Sequence, residues 1–214
     1  MEAFLKAAAS RTTGAKTRFR IDRELSEAVG MLTGCYQMEV TNRGGVFQAD
    51  PATTDHINKA ALWLTGGTKV GLLLAGNCGN GKTTLTKAIK RMIDTLYYSS
   101  LSTARKTINY VSATELAGMA RDDSSNFERL RKSEMLAIDD VGVEPASVKV
   151  YGNEISPFVE LMYERYDKQL MTLVSTNLHM EDFQKRYGER IADRFREIFG
   201  VISFRNESYR RRQL

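Results

Sequence analysis

GNCGNGKTT, residues Gly76 to Thr84, satisfies the spacing G-x-x-x-x-G-K-[ST] through Gly76, Gly81, Lys82 and Thr83. The pattern has physical meaning only where a strand leads in and a helix leads out, and both flanks comply. Val70 to Ala75 (VGLLLA) is an apolar run of buried-strand length. Leu85, Ala88, Ile89, Met92, Ile93 and Leu96 then fall on one face of a helix at i, i+3, i+4, i+7, i+8 and i+11. Such a loop turns backbone N–H groups inward around phosphate oxygens, and the helix N-terminus adds the positive end of its dipole. Gly76, Asn77, Cys78, Gly79, Asn80, Gly81, Lys82, Thr83 and Thr84 are therefore the candidate nucleotide-binding residues. Lys82 is expected to reach the β- and γ-phosphates of ATP, and the Thr83 hydroxyl to ligate Mg²⁺.

Downstream, further strands end where that loop needs partners. Ile108 to Val111 reads as a second strand, Met135 to Asp140 (MLAIDD) as a third, Met171 to Ser175 as a fourth and Val201 to Phe204 as a fifth. Helical patterns separate them. Ser112 and Glu115 have capping-box spacing, Ile155, Phe158, Val159, Met162, Tyr163 and Tyr166 form a stripe, and Ile191, Phe195, Ile198 and Phe199 follow Gly188. Strands alternating with helices imply a mainly parallel sheet of at least five strands covered on both faces. Ligands bind at the carboxyl edge of such sheets. There Asp139 is expected to hold the Mg²⁺ shell, Asp140 to polarise the attacking water as general base, and Asn177 to orient that water or sense the γ-phosphate. Arg190 and Arg194 lie one turn apart on the last helix. Either they form a charged face with Asp193 and Glu197, or one is an arginine finger for a neighbouring subunit's γ-phosphate. Spacing does not choose between them.

The remaining segments carry weaker signals. Residues 1 to 20 lack an apolar period and read as a frayed arm. Leu25, Ala28, Val29 and Leu32 give a short helix, and Tyr36 to Gln48 (YQMEVTNRGGVFQ) carries a hairpin signal around Asn42 to Gly45. Ile57, Ala60, Ala61 and Leu64 mark a helix stopped by Gly66-Gly67. Trp63 or the hairpin is expected either to border the base or simply to pack in the core. Residues 121 to 133 read as a loop plus a helix bearing Phe127 and Leu130, and 141 to 152 as a long linker. The boundary is set at residue 49, with an N-terminal partner-contact region before it and the nucleotide-binding domain over 50 to 214.

Length and composition suit a soluble globular protein. The 214 residues are 27% charged and 42% hydrophobic. The apolar runs are far shorter than the ~20 residues of a membrane-spanning helix. The N-terminus MEAFLKAAASR does not read as a secretory signal, because Lys6 interrupts its apolar part, and a cytoplasmic location is expected. Two cysteines and two histidines are too few for a spaced zinc site or a disulfide framework. Lys and Arg number 31 against 26 Asp and Glu, a net +5. The excess gathers over residues 1 to 23 and at Arg205 and Arg210 to Arg212, suggesting an anionic partner such as nucleic acid.

The order of these motifs resembles the DnaC-type helicase loaders and the IstB-type transposition helper ATPases, a branch of the AAA+ superfamily. The resemblance covers roughly residues 50 to 212 and rests on GNCGNGKTT, MLAIDDVG, LVSTNL, RYGERIADRFRE and SYRRR. It implies a P-loop three-layer sandwich without a full C-terminal lid, since the chain stops almost at Arg210. It makes Gly76 to Thr83 the Walker A loop, Asp139 and Asp140 Walker B, and Asn177 sensor 1. Arg190 matches the family's arginine finger and Arg210 its sensor 2 arginine. Cofactors are then ATP and Mg²⁺. Partners are other copies of the chain, single-stranded DNA through the region of Ser147, Lys149 and Tyr151, and a replicative helicase. A transposase with duplex DNA is the alternative. In this family Walker B usually ends Asp-Glu, so Asp140, one methylene shorter, implies slow turnover. Two rivals stand beside that reading. One is an ATP-switched adaptor with negligible hydrolysis; the other is a small-molecule kinase, disfavoured because no arginine-rich lid lies between the third and fourth strands.

Overall fold

The strand that feeds the phosphate loop sends successive side chains to opposite faces of a sheet, and that alternation builds two cores. The computed structural model describes residues 18–98, 105–150 and 152–209. In chain order its elements are α1 (Leu25–Thr41), α2 (Pro51–Gly66), β1 (Gly71–Gly76), α3 (Lys82–Leu96), β2 (Asn109–Ser112), α4 (Ala113–Asp122), α5 (Ser124–Lys132), β3 (Met135–Val141), β4 (Val148–Val150), β5 (Asn153–Ile155), α6 (Pro157–Asp167), β6 (Met171–Thr176), α7 (Met180–Tyr187), α8 (Glu189–Ile198) and β7 (Phe199–Phe204). Leu72 and Leu74 of β1 enter one buried cluster with α1, α2 and α3; Leu73 enters the other with α4 to α8. Met135 and Ala137 of β3 likewise face the first cluster, Leu136 and Ile138 the second.

Five strands pair in the order β2-β3-β6-β1-β7, all parallel, so every carboxyl end lies on one edge. This is the three-layer α/β sandwich that the sequence predicts. In register, Leu73 lies opposite Val174 and Val201, and Ser112 opposite Asp139. The ladder between β3 and β6 slips between Ile138 and Val141, a bulge that holds Asp139 and Asp140. Ser112 forms the expected capping box with Glu115.

Three expectations need correction, and one helix adds to them. The hairpin over 36 to 48 does not exist: α1 runs unbroken to Thr41, burying Ala28, Leu32, Tyr36 and Glu39 on one face. Its Asn-Arg-Gly-Gly sequence is a helix stop, where Gly44 takes φ +75° and Gly45 N donates to Val40 O at 3.1 Å. The long linker contains an antiparallel pair, β4 with β5, that sets Lys149 opposite Glu154. The stretch 121 to 133 continues α4 and then holds α5, broken only at Asp123, whose carboxylate caps Asn126 N at 3.1 Å. Finally, α7 was not foreseen; it buries only Phe183 and Tyr187. Most of the arm over residues 1 to 20 lies outside the described residues.

Candidate nucleotide site

Two glycines make the loop possible. Gly76 takes φ +152°, and a Cβ there would strike Phe204 O; Gly81 takes φ +103°, and its Cβ would sit 2.5 Å from the Tyr36 hydroxyl. Gly81 is also the N-cap of α3 and offers no side-chain oxygen, so the first-turn N–H groups stay available to an anion. The loop is pinned from outside. Asn80 Nδ2 donates to Phe204 O at 2.9 Å, Asn206 Nδ2 to Asn80 O at 3.2 Å, and Tyr209 N to Gly79 O at 2.9 Å.

Lys82 is 4% exposed, and its ammonium reaches Gly76 O and Asn77 O at 2.7 Å, Asn177 Oδ1 at 2.8 Å and Asn80 Oδ1 at 3.2 Å. The side chain that starts α3 is thereby tied to the end of β6. Thr83 Oγ1 donates to Asp139 Oδ1 at 3.2 Å. Asp139, 4% exposed, also accepts from Ser175 Oγ and, at 2.6 Å, from the Tyr110 hydroxyl. Burial and then that bond raise the Tyr110 phenol well above its ordinary range, which keeps it a donor. Ser175 Oγ in turn accepts Asp140 N at 2.9 Å. Asp140 has φ +55°, a left-handed conformation that Asp tolerates better than most residues, and both carboxylates line the cleft. Ser175 and Tyr110 were missed in the sequence. Their signals were position alone: Ser175 immediately precedes Thr176-Asn177, and Tyr110 lies two residues before Ser112, which pairs with Asp139.

Lys82, Thr83, Asp139, Asp140 and Asn177 border a cleft of 970 Å³ that also takes in Tyr36, Arg43, Phe47, Asp50, Thr53 and Tyr209. Tyr209 closes one wall, its hydroxyl 2.7 Å from Thr53 Oγ1 and 3.3 Å from Asp50 Oδ1. Burial raises the Tyr36 phenol. Trp63 is not part of the cleft. Its indole donates to Lys69 O at 3.0 Å and packs on the first core.

Other sequence candidates lie apart from the loop. Arg190 is exposed in the first turn of α8, and among the described residues no ion pair joins it or Arg194 to Asp193 or Glu197. The guanidinium of Arg194 instead lies 4.5 Å from the ring centres of both Tyr163 and Tyr166. Ser147 donates to Glu154 at 2.5 Å beside β4, and Lys149 is exposed. Tyr151 and Arg210 lie outside the described residues. A further residue escaped notice: Glu144, 4% exposed, accepts from Gly142 N at 2.7 Å and from the Tyr187 hydroxyl, while Arg186 donates to its carbonyl. The turn after β3 is thereby fastened to α7, three residues ahead of Arg190.

A parallel sheet of this order, a phosphate loop on β1 and acid at the end of β3 together define a P-loop ATP-binding domain of the AAA+ class. A family model described as "IstB-like ATP binding protein" matches residues 52–214, and the chain belongs to that family. Among solved structures, "Crystal structure of the DnaC helicase loader" aligns at TM-score 0.58 and 16% identity, covering 79% of this chain and 98% of that one. The "Crystal Structure of the DnaI" aligns at 0.56 and 22%, covering 77% and 88%. A third is "Replication initiator DnaA bound to AMPPCP and single-stranded DNA", at 0.53 and 18%, covering 76% and 48%. A comparison with curated proteins finds no match.

Proposed function

We propose that this protein is an assembly-dependent ATPase that works on single-stranded DNA and delivers a replicative helicase. The observation that carries the ATPase part is the convergence of Lys82, Thr83, Asp139 and Asn177 at one sheet edge. The residues fit ATP·Mg²⁺: open helix N–H groups and an ammonium suit the phosphates, and a hydroxyl beside a carboxylate suits a hard cation. When bound, Mg²⁺ supplies charge neutralisation at the β- and γ-phosphates, held from Thr83 and Asp139. Asp140 accepts the proton of the attacking water, and Asn177 orients that water.

Arg190 is exposed on α8, apart from the phosphate loop of its own chain and open to another copy. Arg190 therefore completes the site of a neighbouring copy, and Arg210 contributes from the same chain. The β4–β5 pair presents Lys149 to the DNA backbone, and Ser147 and Tyr151 belong to the same single-strand contact region. The likeness to the DnaC helicase loader supports helicase delivery, and the IstB-like family match supports a transposition helper acting on duplex DNA as the second reading. The measurement that separates them is the ATPase rate per subunit against protein concentration, with each DNA form. A rate that rises with concentration and responds to single strands is the expected result. Preference for duplex selects the second reading, and a rate independent of concentration and DNA overturns both.

A further inference from the structure

We infer that Arg43 is a cation for the nucleotide's phosphate chain supplied from within the same chain, a role that rests on the ATP-binding reading above. Arg43 follows the C-terminus of α1, where the turn through Gly44 brings the chain back over the phosphate loop. Its Nη1 lies 3.4 Å from Thr84 Oγ1, and it lines the same cleft as Lys82, Thr83, Asp139 and Asp140. No ion pair holds this guanidinium among the described residues. By contrast Arg91, on the face of α3 toward α1, is fastened to Glu39 at 2.7 Å.

A cation near a helix C-terminus is favourable for the dipole alone, which would account for the charge of Arg43. It does not account for its direction. One long contact to a neutral hydroxyl occupies one of five N–H donors, and the rest of the planar fork is available to the bidentate geometry that phosphate oxygens accept. Thr84 directly follows Thr83, so the fork stands beside the part of the loop that cradles the phosphates. Through Arg43 the same charge would tie nucleotide occupancy to the end of α1, the helix that links the N-terminal region to α3.

The test is equilibrium binding of ATP, ADP and adenosine, by competition with a fluorescent ATP analogue, to wild type, Arg43→Ala and Arg43→Lys. Arg43 is exposed, so both variants are expected to fold, which far-UV circular dichroism checks. The alanine variant should bind ATP and ADP about tenfold more weakly with adenosine unchanged, and lysine should restore part of the loss. Wild-type ATP affinity in Arg43→Ala, or an equal loss for adenosine, would overturn the inference while leaving ATP binding intact. Failure of the wild type to bind ATP would overturn the ATP reading and this inference together.

Discussion

Replacing Glu144 by alanine should both destabilise the protein and slow hydrolysis without weakening ATP binding. The carboxylate is 4% exposed and serves the Gly142 amide and the Tyr187 hydroxyl, so its removal leaves two donors without an acceptor. Each donor so orphaned costs about 1–3 kcal/mol, which sets the loss at roughly 2–6 kcal/mol and the fall in Tm at roughly 4–24 °C. Tyr187 is held as a donor by burial first and by this carboxylate second, and both raise its phenol. Glu144→Gln keeps one acceptor oxygen and should lose about 1 kcal/mol. The turn from Asp140 to Glu144 carries the proposed base at one end, and Tyr187 stands three residues before Arg190, so in the proposed mechanism the clamp would position both groups. Urea unfolding gives the stability, and titration of ATP together with the steady-state rate separates binding from turnover. A stability change for Glu144→Ala below about 0.5 kcal/mol would refute the clamp, since that is the size of an ordinary surface substitution. A large stability loss with full turnover would refute its positioning role alone.

Lys82→Ala removes the ammonium that four acceptors now surround, and ATP affinity measured by calorimetry should fall at least about a hundredfold; unchanged affinity would end the phosphate-loop account. Asp140→Glu extends the proposed base by one methylene into the cleft and should raise the single-turnover rate severalfold at equal ATP occupancy, on the order of the smaller general-base effects, whereas a slower rate would show that the bulge suits only aspartate. His56 is 5% exposed, stacks on Phe204 at 3.9 Å and has its pKa lowered, chiefly by burial. The unfolded chain therefore binds this proton more readily than the folded one. Stability should be constant above about pH 6.5 and fall as the pH drops through the window below it. Thermal melts should show that step in wild type and its reduction in His56→Phe; equal steps in both would assign it elsewhere.

How far the sequence disclosed this molecule depended on whether a residue's partners lie along the chain or across the fold. β1 and α3 were legible because each carries its own period, 2 for the strand and 3.6 for the helix, around glycines that only a phosphate loop requires. The second half of α1 was not. Tyr36, Met38 and Val40 alternate as a strand would, yet Met38 is 54% exposed and the face actually buried ends in Glu39, a charged residue neutralised by Arg91 from another helix. No apolar count detects a burial that depends on a distant cation. For α7, two aromatic rings at i and i+4 were too little signal in eight otherwise polar residues. Within the site, the loop, the acid pair and Asn177 were legible from strand ends. Ser175, Tyr110, Glu144 and Arg43 were not, because each acts through a tertiary hydrogen bond and belongs to a residue type common everywhere. The Arg190 alternatives also needed three dimensions: the charged face lacks its ion pairs among the described residues, and Arg194 turns to tyrosine rings instead.

The central claim is that a complete hydrolytic site needs two copies of the chain, one supplying Asp140 and the next Arg190. Mixing Arg190→Ala with Asp140→Asn tests this most directly. Each variant alone should bind ATP and hydrolyse almost none. In a head-to-tail assembly formed from equal amounts, about a quarter of the sites combine an intact Asp140 with an intact Arg190, so about a quarter of the wild-type rate should return. A mixture no more active than its components, or an Arg190→Ala variant that hydrolyses ATP at the wild-type rate by itself, would contradict the account.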